Sequence, residues 1–330
     1  MTGNRFHNSI WAVGTVLLLL LAGPLEASRP YEETERPPRR IRLLRPAKDG
    51  PEEQLAHAQA LRDGGRLWRA QRQFRALTRY WPNTPEAALA QLGYARTQAE
   101  RSRATRAFEA YENLLETYAG LFPHTQVLDQ MYELAETVME RRRGRFLFFP
   151  GFHAPERALP LFERIARHGP RWERTPAAKL HIARIQEEAG KWDDAVLAYD
   201  RLEARHPGTP EAKEAAFGKG RALYQLAQRY PRDVDGIETA AYTLAFFVQH
   251  HPDSPDADTA VEYVRTLQER LAELAYEKAR YYDRIAREPV AAIITYERFL
   301  ERFPDTPWSD KARTRLEKLQ RKAGAEAPNV

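Results

Sequence analysis

Side chains able to do acid–base chemistry are abundant in this 330-residue chain, with 46 acidic residues and 9 histidines, but their spacing works against catalysis. Asp193-Asp194 and Glu187-Glu188 are adjacent pairs beside helix starts and exposed faces. Neighbours on a helix point in different directions, so neither pair makes a carboxylate dyad, and a structural or solvating role is expected. His250 and His251 are also adjacent and lack the three- or four-residue spacing that brings two metal ligands onto one helix face. His206 and His251 occupy a recurring position held elsewhere by Trp81 and Phe303, which points to packing. The sequence contains no cysteine, so a disulfide, a thiol nucleophile and a thiolate-bound metal are all excluded. No GxSxG, HExxH, P-loop or dinucleotide-binding glycine pattern occurs. Tyr276, Tyr281 and Tyr282 could stack on a glycan or a peptide, although aromatics at helical spacing are ordinarily core. The expectation is a chain without catalytic residues, resident metal or cofactor.

What would position any of these groups is a pattern that occurs four times. With Pro207 as origin, Ala195 stands twelve residues back, Tyr199 eight, Leu202 five and His206 one, while Ala212 and Ala215 stand five and eight ahead. The same offsets hold Ala70, Phe74, Leu77 and Trp81 around Pro82, then Ala240, Leu244, Phe247 and His251 around Pro252, then Ala292, Tyr296, Phe299 and Phe303 around Pro304. Steps of four, three and four residues draw one apolar stripe along a helix. The P-x-[ST]-P element ends that helix, and Thr84, Thr209, Ser254 or Thr306 is placed to cap the next one, with proline in its first position. Small residues five and eight positions on let the following helix pack closely. Such a unit cannot bury its stripe alone and must stack on its neighbours, so the fold class expected is all-α, a solenoid of helical hairpins.

An alanine, an aromatic four residues later and a proline eight after that make up the back half of a tetratricopeptide repeat, which Gly190–Pro207 resembles. The variant ending P-x-[ST]-P-x-A-x-x-A, together with the stretch from Leu271 to Pro307, resembles the family of the outer-membrane β-barrel assembly factor BamD over about Glu52 to Lys322. Members of that family are typically attached to lipid through a cysteine just after the signal, and this sequence has none. The resemblance implies a periplasmic scaffold whose partners are proteins, either a β-barrel assembly subunit or unfolded outer-membrane protein segments. Two other readings are a division scaffold resembling the repeat protein of the Tol-Pal system and a solenoid-bearing glycan-processing enzyme, for which the repeats leave no room.

Hairpin helices are expected near Glu52–Arg62, Leu67–Tyr80, Pro85–Glu100, Ala104–Gly120, Thr125–Arg142, Ala154–Arg167, Pro176–Ala189, Trp192–Ala204, Pro210–Arg229, Val234–Gln249, Pro255–Arg287, Pro289–Arg302 and Pro307–Arg321. In the second unit Ala107, Tyr111 and Leu115 keep the spacing but Pro123 falls about one turn late, which predicts a lengthened helix. The domain boundaries expected are a signal peptide over 1–27, a Pro/Arg-rich linker over 28–51, the repeat domain over 52–322 and a disordered tail over 323–330. The apolar run Ile10–Ala22, with Arg5 before it and Ala27 and Ser28 after, reads as a secretory signal cleaved after Ala27, with an uncleaved anchor as the competing reading. Localisation is therefore expected to be exported and periplasmic, with association with the outer membrane as an added option.

Of the net charge of +5, +3 falls on Ser28–Gly50. The nearly balanced repeat region lacks the concentrated basic face of a nucleic-acid binder. One stretch departs from the repeat: Arg141, Arg142, Arg143, Phe146, Phe148, Phe149 and Phe152 crowd basic and aromatic residues around two glycines and a proline. It reads either as an inter-repeat loop folded back into a groove or as a partner or peripheral membrane contact.

Overall fold

The computed structural model of the chain describes residues 44–141 and 154–326. The stretch assigned to a signal peptide, residues 28–43 of the linker, and all of the Arg141–Phe152 stretch except Arg141 lie outside the described residues. Thirteen α-helices and no strand occur among the described residues: α1 Pro51–Asp63, α2 Leu67–Tyr80, α3 Pro85–Glu100, α4 Ala104–Thr117, α5 His124–Glu140, α6 Leu159–His168, α7 Thr175–Glu188, α8 Trp192–Arg205, α9 Pro210–Arg229, α10 Val234–His250, α11 Ala257–Tyr281, α12 Pro289–Arg302 and α13 Ser309–Glu326. Each helix packs on its neighbours in sequence, and α1, α7 and α9 also reach the next but one, α3, α9 and α11 respectively. The result is a solenoid of helical hairpins.

The stripe explains the packing. Ala70, Phe74 and Leu77 on α2, Ala195, Tyr199 and Leu202 on α8, Ala240, Leu244 and Phe247 on α10, and Ala292, Tyr296 and Phe299 on α12 are all buried. Their neighbours are the small residues Ala87 and Ala90 on α3, Ala212 and Ala215 on α9, Ala257 and Ala260 on α11, and Ser309 and Ala312 on α13, also buried. The prolines Pro82, Pro207, Pro252 and Pro304 are exposed at the turns, where a residue without an amide hydrogen breaks no ladder.

The five helices α2, α4, α8, α10 and α12 end alike. Trp81, Tyr118, His206, His251 and Phe303 each leave helical geometry with φ between −121° and −135° while donating a last amide to the carbonyl four residues back. Tyr118 thus does in the second unit what the residue before proline does elsewhere, and Leu114 takes the place the spacing gave to Leu115. The helix expected to run on to Gly120 stops at Thr117. The extra residues lie in the connection Ala119–Pro123, where added length costs little.

Helix starts are less uniform than the pattern suggests. Thr84 and Thr209 do cap: their Oγ1 atoms accept from the Ala87 and Ala212 amides at 3.3 and 3.2 Å, with Pro85 and Pro210 in the first helical turn. Ser254 and Thr306 do not cap a helix. The Ser254 hydroxyl accepts instead from the Asp256 amide at 3.4 Å and the Thr306 amide donates to Ser309 Oγ at 3.0 Å, and the helices begin later, α11 at Ala257 and α13 at Ser309. Pro160 splits the helix expected from Ala154: it has no amide to offer the Glu156 carbonyl, so Pro155–Arg157 forms a separate 3-10 turn before α6. The long helix expected through Arg287 gives way after Tyr281 to a π-helical turn, Tyr282–Ala286, and ends at Arg287 in left-handed geometry (φ 55°). Ahead of α1, buried Gln54 ties the chain down, its Oε1 accepting from the Ala47 and Lys48 amides while its Nε2 donates to Gln73 on α2.

Candidate functional site

The largest of the clefts described lies among α10, α11 and the end of α12, with a volume of about 780 Å³. It adjoins a second of about 260 Å³, and the two share Glu238, Leu271, Arg302 and Phe303. Leu271 is buried and Phe303 half-buried, giving the double cleft an apolar floor. Its rim is charged and internally matched, with Arg302 on Glu238 at 2.9 Å and Arg265 between Glu262 and Glu269.

On the wall, Tyr242 is 72% exposed and begins a ladder of rings four residues apart on α10. Tyr242 to Phe246 is 6.3 Å between centroids and Phe246 to His250 is 3.8 Å, stacked. Exposed aromatics over an apolar floor with a compensated rim suit the side chains of a protein partner. Spacing alone did not single out Tyr242 or Phe246. The available signal was their place just off the buried stripe of α10, where a surface helix normally carries polar residues.

Behind the surface, two polar clamps recur at one position of the repeat. Tyr199 donates to Glu187 Oε2 at 2.7 Å, and Arg221 holds the same carboxylate through two bonds of 2.6 and 2.8 Å, linking α7, α8 and α9. Near the end of the chain, Arg315 on α13 binds Asp283 through bonds of 2.8 and 2.6 Å, and Tyr296 donates to it at 3.5 Å. Burial, then the neighbouring carboxylate, raises both phenols, Tyr296 to about 12. The hydrogen bond from Arg315 holds the Asp283 carboxyl below its ordinary value, and the bond to Glu187 raises the Arg221 guanidinium. Of the pair Glu187-Glu188, expected to be structural or solvating, Glu187 is a half-buried structural anion and Glu188 is exposed. Asp193 and Asp194 stand in the first turn of α8, where negative charge is favoured.

His181, His206 and His251 lie against packing surfaces. His206 and His251 are half-buried at helix ends, and burial lowers both. Lys179 Nζ lies 2.7 Å from His206 Nε2. His181 stacks on Phe162 at 4.7 Å, and its pKa falls to about 4, first through burial and then through Arg184. Tyr276 packs on Tyr296 and Phe299, whereas Tyr281 is exposed and meets Tyr282 edge-on. Glu112, Glu116 and His168 converge closely enough to hold an ion, but Arg164 already neutralises Glu112 at 2.7 Å, so the group is an ion-pair cluster. Arg141 is exposed at the end of α5.

Residues 153–329, just over half the chain, match the family model described as YfiO, outer membrane lipoprotein. Residues 55–121 match a tetratricopeptide repeat model. No curated protein matches the chain. Among solved structures, a tetratricopeptide repeat protein from Parabacteroides merdae is 16% identical, covering 82% of this chain and 98% of its own with a TM-score of 0.29. YrrB, titled a tetratricopeptide protein with an unusual peptide-binding site, is 15% identical, with coverages of 64% and 92% and a TM-score of 0.33. The C-terminal part of a repeat protein from Cytophaga hutchinsonii is 13% identical, with coverages of 81% and 88% and a TM-score of 0.34.

Proposed function

Because the chain belongs to the YfiO outer membrane lipoprotein family, we propose that it is an exported envelope scaffold that holds protein partners during assembly and insertion of outer-membrane β-barrel proteins. The observation that carries this reading is that the family match over 153–329 contains the whole α10–α12 cleft, with its apolar floor and exposed Tyr242. A partner would be either the β-barrel assembly subunit or an unfolded outer-membrane segment, held by burial of apolar side chains without any covalent step. Residues 1–27 would direct export to the periplasm, 28–51 would link the leader to the repeats, and Arg141–Phe152 would add a second contact to a partner or the membrane. The sequence has no cysteine that could carry a thioether-linked lipid of its own.

Depleting the protein in cells and measuring the steady-state amounts of outer-membrane β-barrels tests the proposal. A fall in barrel levels, together with recovery of an assembly subunit on affinity isolation, is expected. Unchanged levels and no such subunit would refute it.

A further inference from the structure

A groove of about 410 Å³ lies far from the α10–α12 cleft in sequence, between the α3–α4 turn, the first turn of α4, the end of α5 and the 3-10 turn before α6. Its charge is one-sided. Arg103, Arg106, Arg141 and Arg157 line it, and no carboxylate does among the described lining residues. Among the described residues none of these four guanidiniums has a hydrogen-bond or ion-pair partner. By contrast, Arg221 is matched by Glu187, Arg302 by Glu238 and Arg315 by Asp283.

The neighbouring Arg101 registers the imbalance: partial burial first, then Arg103 and Arg106, hold its guanidinium below the ordinary value. Helix α4 also starts here without a side-chain cap, Arg103 being its N-cap residue, so the positive end of the helix adds to the same field. Like charges gathered without counter-ions destabilise a fold, and an anion in the groove removes that penalty.

We propose that this groove binds the phosphate group of an anionic phospholipid headgroup. All four cations are arginines, whose planar forks bind phosphate oxygens in pairs, which a lysine ammonium cannot do. The flanking sequence argues for a lipid source: the segment that leaves the described structure after Arg141 and rejoins it at Ala154 contains Arg142, Arg143, Arg145 and four phenylalanines, a basic and aromatic composition suited to a bilayer interface. The site is separate from the proposed protein cleft and does not depend on what that cleft holds.

Co-sedimentation of the full chain with phosphatidylglycerol-containing vesicles, compared with phosphatidylcholine vesicles, tests it, because the comparison cancels any uncharged insertion by the apolar N-terminal run. The triple variant Arg103→Gln, Arg106→Gln, Arg157→Gln is expected to weaken phosphatidylglycerol binding roughly tenfold or more. A control, Arg69→Gln, Arg75→Gln, Arg79→Gln, removes equal charge from exposed positions on α2 and is expected to change it by less than about twofold. Thermal unfolding of both variants checks that the fold is kept. Equal losses in the two variants, or none in the first, would overturn the proposal. So would full competition by millimolar inorganic phosphate, which assigns the groove to a soluble anion, or tighter binding of an acidic glutamate peptide than of vesicles, which assigns it to a protein.

Discussion

Truncating Glu187 to alanine removes the acceptor for both Tyr199 and Arg221, leaving a guanidinium against the Phe217 ring at 5.3 Å with no counter-charge in the clamp. Breaking a buried pair costs about 3 kcal/mol or more. Arg221 is 37% exposed, so solvent offsets part of that and a loss of about 2 kcal/mol is expected in denaturant unfolding. Arg221→Met combined with Glu187→Ala should recover part of it, because no charge is then stranded. His181 gives a pH effect with a definite sign. Its pKa is near 4 in the fold, lowered by burial, Arg184 and Arg174 against a raising influence from Glu214, and near 6.5 when unfolded. The unfolded chain therefore binds the extra proton between those values, and stability falls as pH drops from about 6.5 towards 4, by roughly 1 kcal/mol per pH unit. His181→Phe should reduce the fall in melting temperature between pH 7 and pH 5, and an unchanged fall would contradict the assignment. The clamp was not legible in the sequence, because Arg221 and Glu187 are 34 positions apart and only the stacked helices bring them together.

At the scale of the helix, the stripe itself was legible: steps of four, three and four fix which face is apolar whatever lies opposite. What lies opposite was missed. Gly93 and Gly218 stand eleven residues after Pro82 and Pro207, and a Cβ there would sit 2.6 Å from the Phe74 ring and 2.5 Å from the Tyr199 ring. These glycines make the room that the large stripe residue occupies. Gly218→Ala should thus destabilise by about 1–3 kcal/mol, although alanine favours a helix, because Tyr199 is held in place by Glu187. A neutral or stabilising result in calorimetry would mean the ring can move aside. The helix starts at Ala257 and Ser309 were misread for a related reason. A P-x-[ST]-P string specifies a turn, but its hydroxyl can settle on another partner, as Ser254 does on the Asp256 amide and Thr306 on the Ser309 hydroxyl.

Across the whole molecule, the repeat pattern carried the fold class, since four copies of a stripe that cannot be buried alone allow little besides a stack of hairpins. Surface function was much less visible. The cleft depends on α10, α11 and α12 converging, and the aromatic ladder on α10 is recognisable only once its buried face is known. Nearest-neighbour packing also sets how damage spreads: Gly218→Ala should weaken protection of α8 and α9 against hydrogen exchange more than that of α12 and α13. The central claim, that the α10–α12 cleft holds a protein of the barrel-assembly process, is tested most directly by placing a photo-crosslinking residue at Tyr242 in living cells, with exposed Leu197 on α8 as the control. One discrete adduct is expected from position 242, containing an assembly subunit or an outer-membrane β-barrel, and none from 197. No adduct from 242, or the same adducts from both positions, would contradict it.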